Sequence, residues 1–335
     1  MILVTGGTGR LGNQIVRVLR SVGLDVRCLV RKGSEYFWLN DTGASYFFGD
    51  LRDPESLSRA LRDVRYLIAA AGVRVEKTDN NHKNVTADGN IALFDAAKAR
   101  KVEHVVFVSC AGAGDPRDVP ALTGKKAAED HLIASGLSHT ILRPGLFAAN
   151  FADLARRAET NGAIFLPGRA DAKISPLHGR DLALMCTAAL DLPSVKNQVI
   201  EVGGPDTMTV EQAWATMAEV ARVPANAWKV PPTVLRGLAP LARPFGRRWQ
   251  NHLLALDAWF SRDTAVDGAE TAARFGIPLT PYREACESAW ADRHPGEDPT
   301  AREEKVVHRQ FVATIYEPGT IKYEELPEGP PPRRD

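Results

Sequence analysis

Gly6, Gly9 and Gly12 stand three residues apart in VTGGTGRLG, between the apolar stretch that opens the chain and a segment of helical spacing. Each answers a different steric demand. Gly6 permits a tight turn after a strand, Gly9 lets the backbone approach a pyrophosphate, and Gly12 lets the helix pack against the strand, while the helix N-terminus offers free N–H groups and a partial positive charge. A glycine motif carries weight only at the β–α junction of a repeating βα chain, and this is such a chain. The apolar runs MILVTG, DVRCLV, ASYFFGD, VRYLIAAAG, EHVVFVSCAG and SHTILRPG alternate with LGNQIVRVLRSVG, ESLSRALRDV, NIALFDAAKARKV and GKKAAEDHLIASG. The alternation specifies βαβ units, and strands that are apolar throughout specify a parallel sheet covered on both faces: a doubly wound, Rossmann-type α/β fold.

After Gly145 the alternation weakens, and ISPLHGRDLALMCTAAL and NQVIEVGG read as a last return to the sheet. The expected organisation is a Rossmann domain over 1–205, with part of a second lobe inserted near 146–175, a smaller C-terminal substrate or partner lobe over 206–294, and a Pro- and charge-rich tail over 295–335. Thr209 and Gln212 suit a capping box. The Pro-rich stretch VPPTVLRGLAPLARPFGRRW reads as an interruption. Its Arg236, Arg243, Arg247 and Arg248 are assigned to a packing lobe with solvated cations, the alternative being an anionic membrane surface or a protein partner. In the tail, VVHRQFVATIYEPGTIKYEELP carries two β-prone runs about EPG, expected as a hairpin or an extended arm on the chain's own body or on a neighbour, with disorder as the alternative.

A net charge of +1 supplies no field to recruit nucleic acid. Cys28, Cys110, Cys186 and Cys286 are scattered without a CxxC pair, which argues against a disulfide framework or zinc site and for the cytoplasm or another reducing compartment. With no signal-peptide pattern and no apolar run of about 18 residues, a soluble protein is expected, touching a membrane only peripherally or through a complex.

A dinucleotide site for NAD(H) places an acid at the end of the second strand, whereas a 2′-phosphate calls for cations. Here CLVRKGSE puts Arg31 and Lys32 at that point, so NADP(H) is favoured, with NAD(H) left open and simple solvated cations as the alternative. Asp50 and Leu51 in GDLRDP end the third strand, where an adenine can rest, and Ala70, Ala71 and Gly72 end the fourth. With Thr5, Gly6, Gly7, Thr8, Gly9, Arg10, Leu11 and Gly12 they form the candidate cofactor site.

The series VTGGTGRLG, CLVRKGSE, GDLRDP, AAAG, VTADGNIALFDAAKARKVEHVVFVS, KAAEDHLIASGLSHTILRPG and PLHGRDLA resembles the atypical short-chain dehydrogenase/reductase superfamily, in particular its NmrA-like branch, over roughly residues 1–205 and more loosely to about 292. Related groups are the isoflavone-reductase-like enzymes, the photosystem-biogenesis proteins and the nucleotide-binding 39 kDa subunit of respiratory complex I. The resemblance implies a Rossmann fold with NADP(H) or NAD(H) at the C-terminal edge of the sheet.

A typical superfamily member carries Ser after the fifth strand and Tyr-x-x-x-Lys on the next helix, where the Tyr moves a proton and the Lys holds the nicotinamide ribose and lowers the Tyr pKa. Ser109 matches the serine and Lys126 the lysine, with Glu129 beyond, but Leu122 stands in the tyrosine's place. Three accounts remain open: Lys126 is itself the base, as the isoflavone-reductase-like resemblance implies; Tyr36, His82 or His178 supplies the proton; or the site holds cofactor without turnover. His178 with Asp181 is read as a cap on the next helix, and Arg143–Pro144 as a structural turn. The expected function is a nucleotide-bound subunit, assembly factor or redox sensor that works through a protein complex, the alternative being an NADPH-dependent reductase of a small carbonyl, enone or quinone using Lys126.

Overall fold

The structure, a computed structural model, describes residues 1–36, 39–73, 76–115, 117–161, 164–292, 311–315 and 321–325. The first half of the chain runs β1 (Ile2–Thr5), α1 (Arg10–Ser21), β2 (Val26–Val30), β3 (Ser45–Phe48), α2 (Pro54–Ala60), β4 (Tyr66–Ala69), α3 (Asp88–Ala99), β5 (His104–Val108), α4 (Pro120–Ala134) and β6 (His139–Pro144). There follow α5 (Ala148–Asn161), β7 (Ile164–Pro167), β8 (Lys173–Ile174), α6 (Gly179–Ala188), β9 (Gln198–Val202), β10 (Met208–Thr209), α7 (Val210–Ala221), β11 (Ala227–Val230), α8 (Pro232–Ala242), α9 (Arg247–Phe260), α10 (Gly268–Phe275) and α11 (Tyr282–Ala291).

Seven strands form one parallel sheet in the order β3-β2-β1-β4-β5-β6-β9. The chain winds outward from β1 to β3 and returns to β4 on the other side of β1, so the crevice at the C-terminal ends of β1 and β4 is the topological switch point. Strand alternation divides the core. Ile2 and Val4 join Ile15, Leu19, Leu182 and Met185 on one face, while Leu3 joins Leu67, Leu93, Phe94 and Phe107 on the other.

A further apolar cluster draws on 146–174 and 208–290, where Phe151, Trp214, Phe260 and Tyr282 pack together. Their polar atoms are satisfied, Trp214 Nε1 donating to Ala225 O at 2.7 Å and the Tyr282 hydroxyl to Ala213 O at 3.0 Å. The capping box is present as the spacing predicts: Thr209 Oγ1 accepts from Gln212 N, and the Gln212 side chain accepts from Thr209 N. Within the Pro-rich stretch residues 232–242 form helix α8, because Pro232 sits in its first turn, where no intrahelical N–H is needed, and Pro240 lies near its end; the break falls later, at the tight turn Arg243–Phe245 and at Gly246, whose φ is +119°. In the tail, Phe311–Ile315 (β12) and Ile321–Glu325 (β13) pair antiparallel, Ile315 opposite Ile321, giving the hairpin expected from its β-prone runs.

One buried ion cluster ties this lobe to the loop after β5. Asp257 on α9 accepts from Arg117 Nη1 at 2.7 Å, Arg236 Nε at 2.8 Å and Ser261 Oγ at 2.8 Å. Arg117 also holds the buried Asp115 at 2.7 Å, and Arg262 pairs with the same carboxylate. Asp257 is buried while Arg117 and Arg236 remain a third to a half exposed, so Asp257→Ala removes charge-assisted hydrogen bonds and leaves cations that water can reach. Urea unfolding is expected to show a loss of about 1.5–3 kcal/mol, against less than half of that for Asp263→Ala on the surface.

Candidate functional site

Gly6 lies at φ +79°, and a Cβ there would stand 2.8 Å from the Ala70 backbone. A Cβ on Gly12 would overlap the carbonyl oxygen of Gly6. These two glycines therefore serve the protein's own packing, drawing the β1–α1 turn against the end of β4 and the helix against the turn. Gly9 differs: a Cβ there meets only the Gly6 oxygen, at 3.3 Å, so its absence keeps the outer side of the turn open. Gly9 is the N-cap of α1, no side chain caps the helix, and its first turn holds no acid, which leaves N–H groups and the positive end of the helix dipole for an anion.

Gly7 is packed on Cys28, Thr8 and Leu11 are half-buried, and Arg10 reaches across to Asp153 at 3.1 Å. The hydroxyl of Thr5, at the tip of β1, is buried without a hydrogen-bond partner among the described residues. An orphaned hydroxyl beside an uncapped helix suits a polar, phosphate-bearing ligand.

Past β2, Arg31 and Lys32 are exposed, and Arg31 Nη1 donates to Asn80 Oδ1 at 3.0 Å. Asp50 is held by Arg52 at 2.6 Å, and the hydrogen bonds from Arg52, reinforced by the charge of Arg31, hold its carboxyl below the usual range. The end of the crevice that can face a 2′-phosphate thus carries Arg31, Lys32 and Arg52, with Arg52 paired to Asp50 and close to Asp79. Arg52 escaped the sequence reading, although it stands two residues after Asp50. Leu51 is buried against α3 at Gly89, and Ala70 and Ala71 are partly buried along the sheet edge.

At the other end, Ser109 N donates to Leu142 O at 2.8 Å, and its buried Oγ has no partner among the described residues. Lys126 does not reach this point: its side chain is 40% exposed and pairs with Asp130. Lys125 turns inward instead, its Nζ donating to Val108 O at 2.7 Å, lying 4.7 Å from the Phe107 ring centroid and 3.5 Å from where a Cβ on Gly72 would stand. The helix period explains the difference. Leu122, Ala128, Glu129 and Leu132 mark the buried face of α4; Lys125 sits three residues after the first and four before Glu129, while Lys126 is turned about 100° toward solvent. Counting back four from Lys125 reaches Ala121, so the apolar character of the proton donor's position holds with either lysine.

Burial draws the Lys125 amine from 10.5 down to about 8, against the opposing pull of Cys110 and Glu129. His82 stands close by, buried in the π-helical turn His82–Ala87, with Nδ1 3.4 Å from Thr86 Oγ1; burial lowers its pKa, and the Lys125 charge adds to that. Tyr36 packs edge-on to Phe48 and tilted on Tyr46, at the β2–β3 side of the sheet. His178 occupies the N-cap position of α6 but makes no side-chain cap. Its Nε2 meets Ser288 Oγ at 3.2 Å, and Asp181 accepts from Thr280 N and Oγ1, both at 2.8 Å, so this pair fastens α6 to the C-terminal lobe. Arg143 is more than a turn residue: it grips the buried Glu129 with two bonds of 2.9 and 2.6 Å and fixes α4 on β6.

Helix α9 covers the same end of α4. Val119, Ala121 and Leu122 pack with Ala255 and Ala258 in one apolar cluster. Asn251 of α9 donates to Glu76 at 2.6 Å, and the other oxygen of Glu76 accepts from His82 N at 3.1 Å.

Residues 1–277 match the model of the NmrA-like family. An NAD(P)H azoreductase of Xenophilus azovorans is 30% identical over 228 residues, 68% of this chain and 76% of that protein. The photosystem II assembly factor Ycf39 of Trieres chinensis is 28% identical over 235 residues, 70% of this chain and 73% of its own length. Among solved structures, the NADPH-dependent quinone oxidoreductase QOR2 of Escherichia coli superposes with a TM-score of 0.69 at 22% identity, covering 86% of this chain and 99% of that one. The last likeness is one of fold.

The depressed Lys125 pKa has a thermodynamic signature. Below about pH 8 the amine is charged both folded and unfolded, and the folded state carries the cost of desolvating it; between about 8 and 10.5 it is neutral when folded and still charged when unfolded, so stability rises with pH. The stability difference between Lys125→Met and the parent should therefore shift in the parent's favour as pH climbs through that window. Urea midpoints taken across the window check this.

Proposed function

The chain belongs to the NmrA-like family, and on that premise we propose that it is an NADP(H)-holding protein whose bound nucleotide acts as a structural or redox-sensing element of a protein assembly. The observation that carries this reading is the contact between α4 and α9. The α4 face on which a reductase of this fold presents its proton donor is apolar at Ala121 and Leu122, and Ala255 and Ala258 pack on it. Leucine and alanine move no proton, and a packed contact leaves no space there for a substrate oxygen. The relatives accord with a fold used in two ways, one being named an azoreductase and another an assembly factor.

The pyrophosphate is assigned to the turn at Gly6, Gly7, Thr8 and Gly9 and the first N–H groups of α1, through Arg10, Leu11 and Gly12. The 2′-phosphate goes to Arg31 and Lys32 with Arg52, and the adenine lies beside Asp50 and Leu51. Thr5, Ala70, Ala71 and Gly72 line the sheet edge. We assign the ribose clamp to Lys125 in place of Lys126, with Ser109 as its neighbour. When bound, the nucleotide can supply or accept a hydride. The chain's own contribution is to hold it, to keep water from Ser109 and Lys125, and to couple its presence to α9.

A second reading rests on Lys125 itself. An amine drawn to about 8 can give or take a proton near neutrality, which a lysine-based reductase of a carbonyl, enone or quinone requires.

NADPH should bind more tightly than NADH by about 1.5–3 kcal/mol for a charge-assisted phosphate contact, and Arg31→Glu should erase the preference. Fluorescence titration of both nucleotides measures it; equal affinities in the parent protein would remove the 2′-phosphate assignment. For turnover, NADPH oxidation against a carbonyl and quinone panel should be negligible in the parent, Lys125→Ala and Lys126→Ala alike. Brisk parental turnover that falls a hundredfold or more in Lys125→Ala at unchanged NADPH affinity would establish the second reading instead.

A further inference from the structure

We propose that the tip of the α8–α9 hairpin is a docking surface for an anionic lipid bilayer. Between Lys229 and Leu256 the sequence contains no Asp or Glu, while it carries Lys229, Arg236, Arg243, Arg247 and Arg248, in a chain whose 41 acids and 42 bases nearly balance as a whole. In the fold Lys229 pairs with Glu211 and Arg236 with Asp257, which leaves Arg243, Arg247 and Arg248 as a local cluster of one sign at the turn between the helices.

The two helices pack on each other and on the lobe through Leu235, Ala239, Ala255 and Ala258. At and near the turn between them other large apolar side chains face outward, Leu238 at 47% exposure, Leu241 at 67%, Phe245 at 78% and Trp249 at 50%, whereas Leu254, Leu256, Trp259 and Phe260 pack inward. Scattered exposed apolar residues are ordinary, but three of these four fall within nine residues at the turn between the helices. Interleaved with them, Arg243, Arg247 and Arg248 are exposed and make no ion pair among the described residues. Arg236 is the cation of this hairpin spent inward, on Asp257.

Apolar side chains alternating with unpaired guanidinium groups fit the boundary between headgroups and acyl chains: Leu241, Phe245 and Trp249 enter the apolar layer while the arginines reach phosphate oxygens. Arg248 lies over the Trp249 ring at 5.5 Å, pairing an interfacial aromatic with a cation. Charge decides the occupant. A second copy laid tip to tip would set like charges against each other, whereas an anionic leaflet opposes all of them with the other sign. No helix of the described residues is long and apolar enough to cross a membrane, so the contact is with the surface.

The experiment is flotation of the full chain with phosphatidylcholine vesicles with and without about 30% phosphatidylglycerol, at low and high salt. The variants are Arg243→Gln/Arg247→Gln/Arg248→Gln and Phe245→Ser/Trp249→Ser, each first checked for an unchanged thermal melt, which their exposure allows. The parent should float only with the anionic vesicles, and less so at high salt. The arginine variant should partition about 100-fold more weakly, near fivefold per cation at an anionic surface. The aromatic variant should lose at least tenfold, and its loss should persist at high salt. Absence of parental binding at low salt, or equal partition of parent and arginine variant, overturns the proposal. So does a parental dimer in sedimentation velocity that both variants abolish without any of the three floating, since the tip would then be an interface between copies.

Discussion

Every strand of the central sheet runs the same way, and a parallel pair can be joined only by a crossover that returns the chain to its starting edge. All the β-to-α turns are therefore delivered to one rim. The glycine turn after β1, Arg31 after β2, Asp50 after β3, Gly72 after β4 and Ser109 after β5 lie far apart in sequence and come together for this one reason. The position of β1 between β2 and β4 opens the crevice, and Gly6 and Gly12 close the turn tightly enough against β4 and α1 for backbone N–H groups to line it.

What the rim can do depends on helix α4. Its rotational setting is fixed by the buried Arg143–Glu129 pair and by an apolar face of Leu122, Ala128 and Leu132, and with that setting only Lys125 of the two adjacent lysines points inward. The same rotation carries Ala121 and Leu122 toward α9, so the residues absent from the usual proton-donor position and the lobe that covers it are two parts of one packing arrangement. The Asp115–Arg117–Asp257–Arg236 cluster then anchors α8 and α9 over that end, its two carboxylates buried and its arginines reaching in from the surface.

Anchoring the inner side of the α8–α9 hairpin also determines its outer side. With Asp257 binding Arg236 and the small residues packed inward, the longer apolar and cationic side chains of residues 241–249 have nowhere to go but solvent. Covering α4 and presenting the tip thus follow from the same packing.

The sequence by itself determined the alternation of strands and helices, the parallel sheet, the glycine turn, the Thr209–Gln212 cap and the cations after β2, because these rest on local periodicity and on turn chemistry within a few residues. Tertiary structure alone decided which lysine faces the crevice. One residue along a helix is about 100° of rotation, and a motif aligned by spacing carries no information on rotation until the helix has a face to bury. The roles of His178, Asp181 and Arg143 were likewise decided by partners 110, 99 and 14 residues away. So was the helical course of residues 232–242, where Pro-rich composition signals a break and packing against α9 overrides it. A one-dimensional pattern specifies what a segment prefers; which of its sides meets the rest of the molecule is set by long-range contacts that only the folded chain possesses.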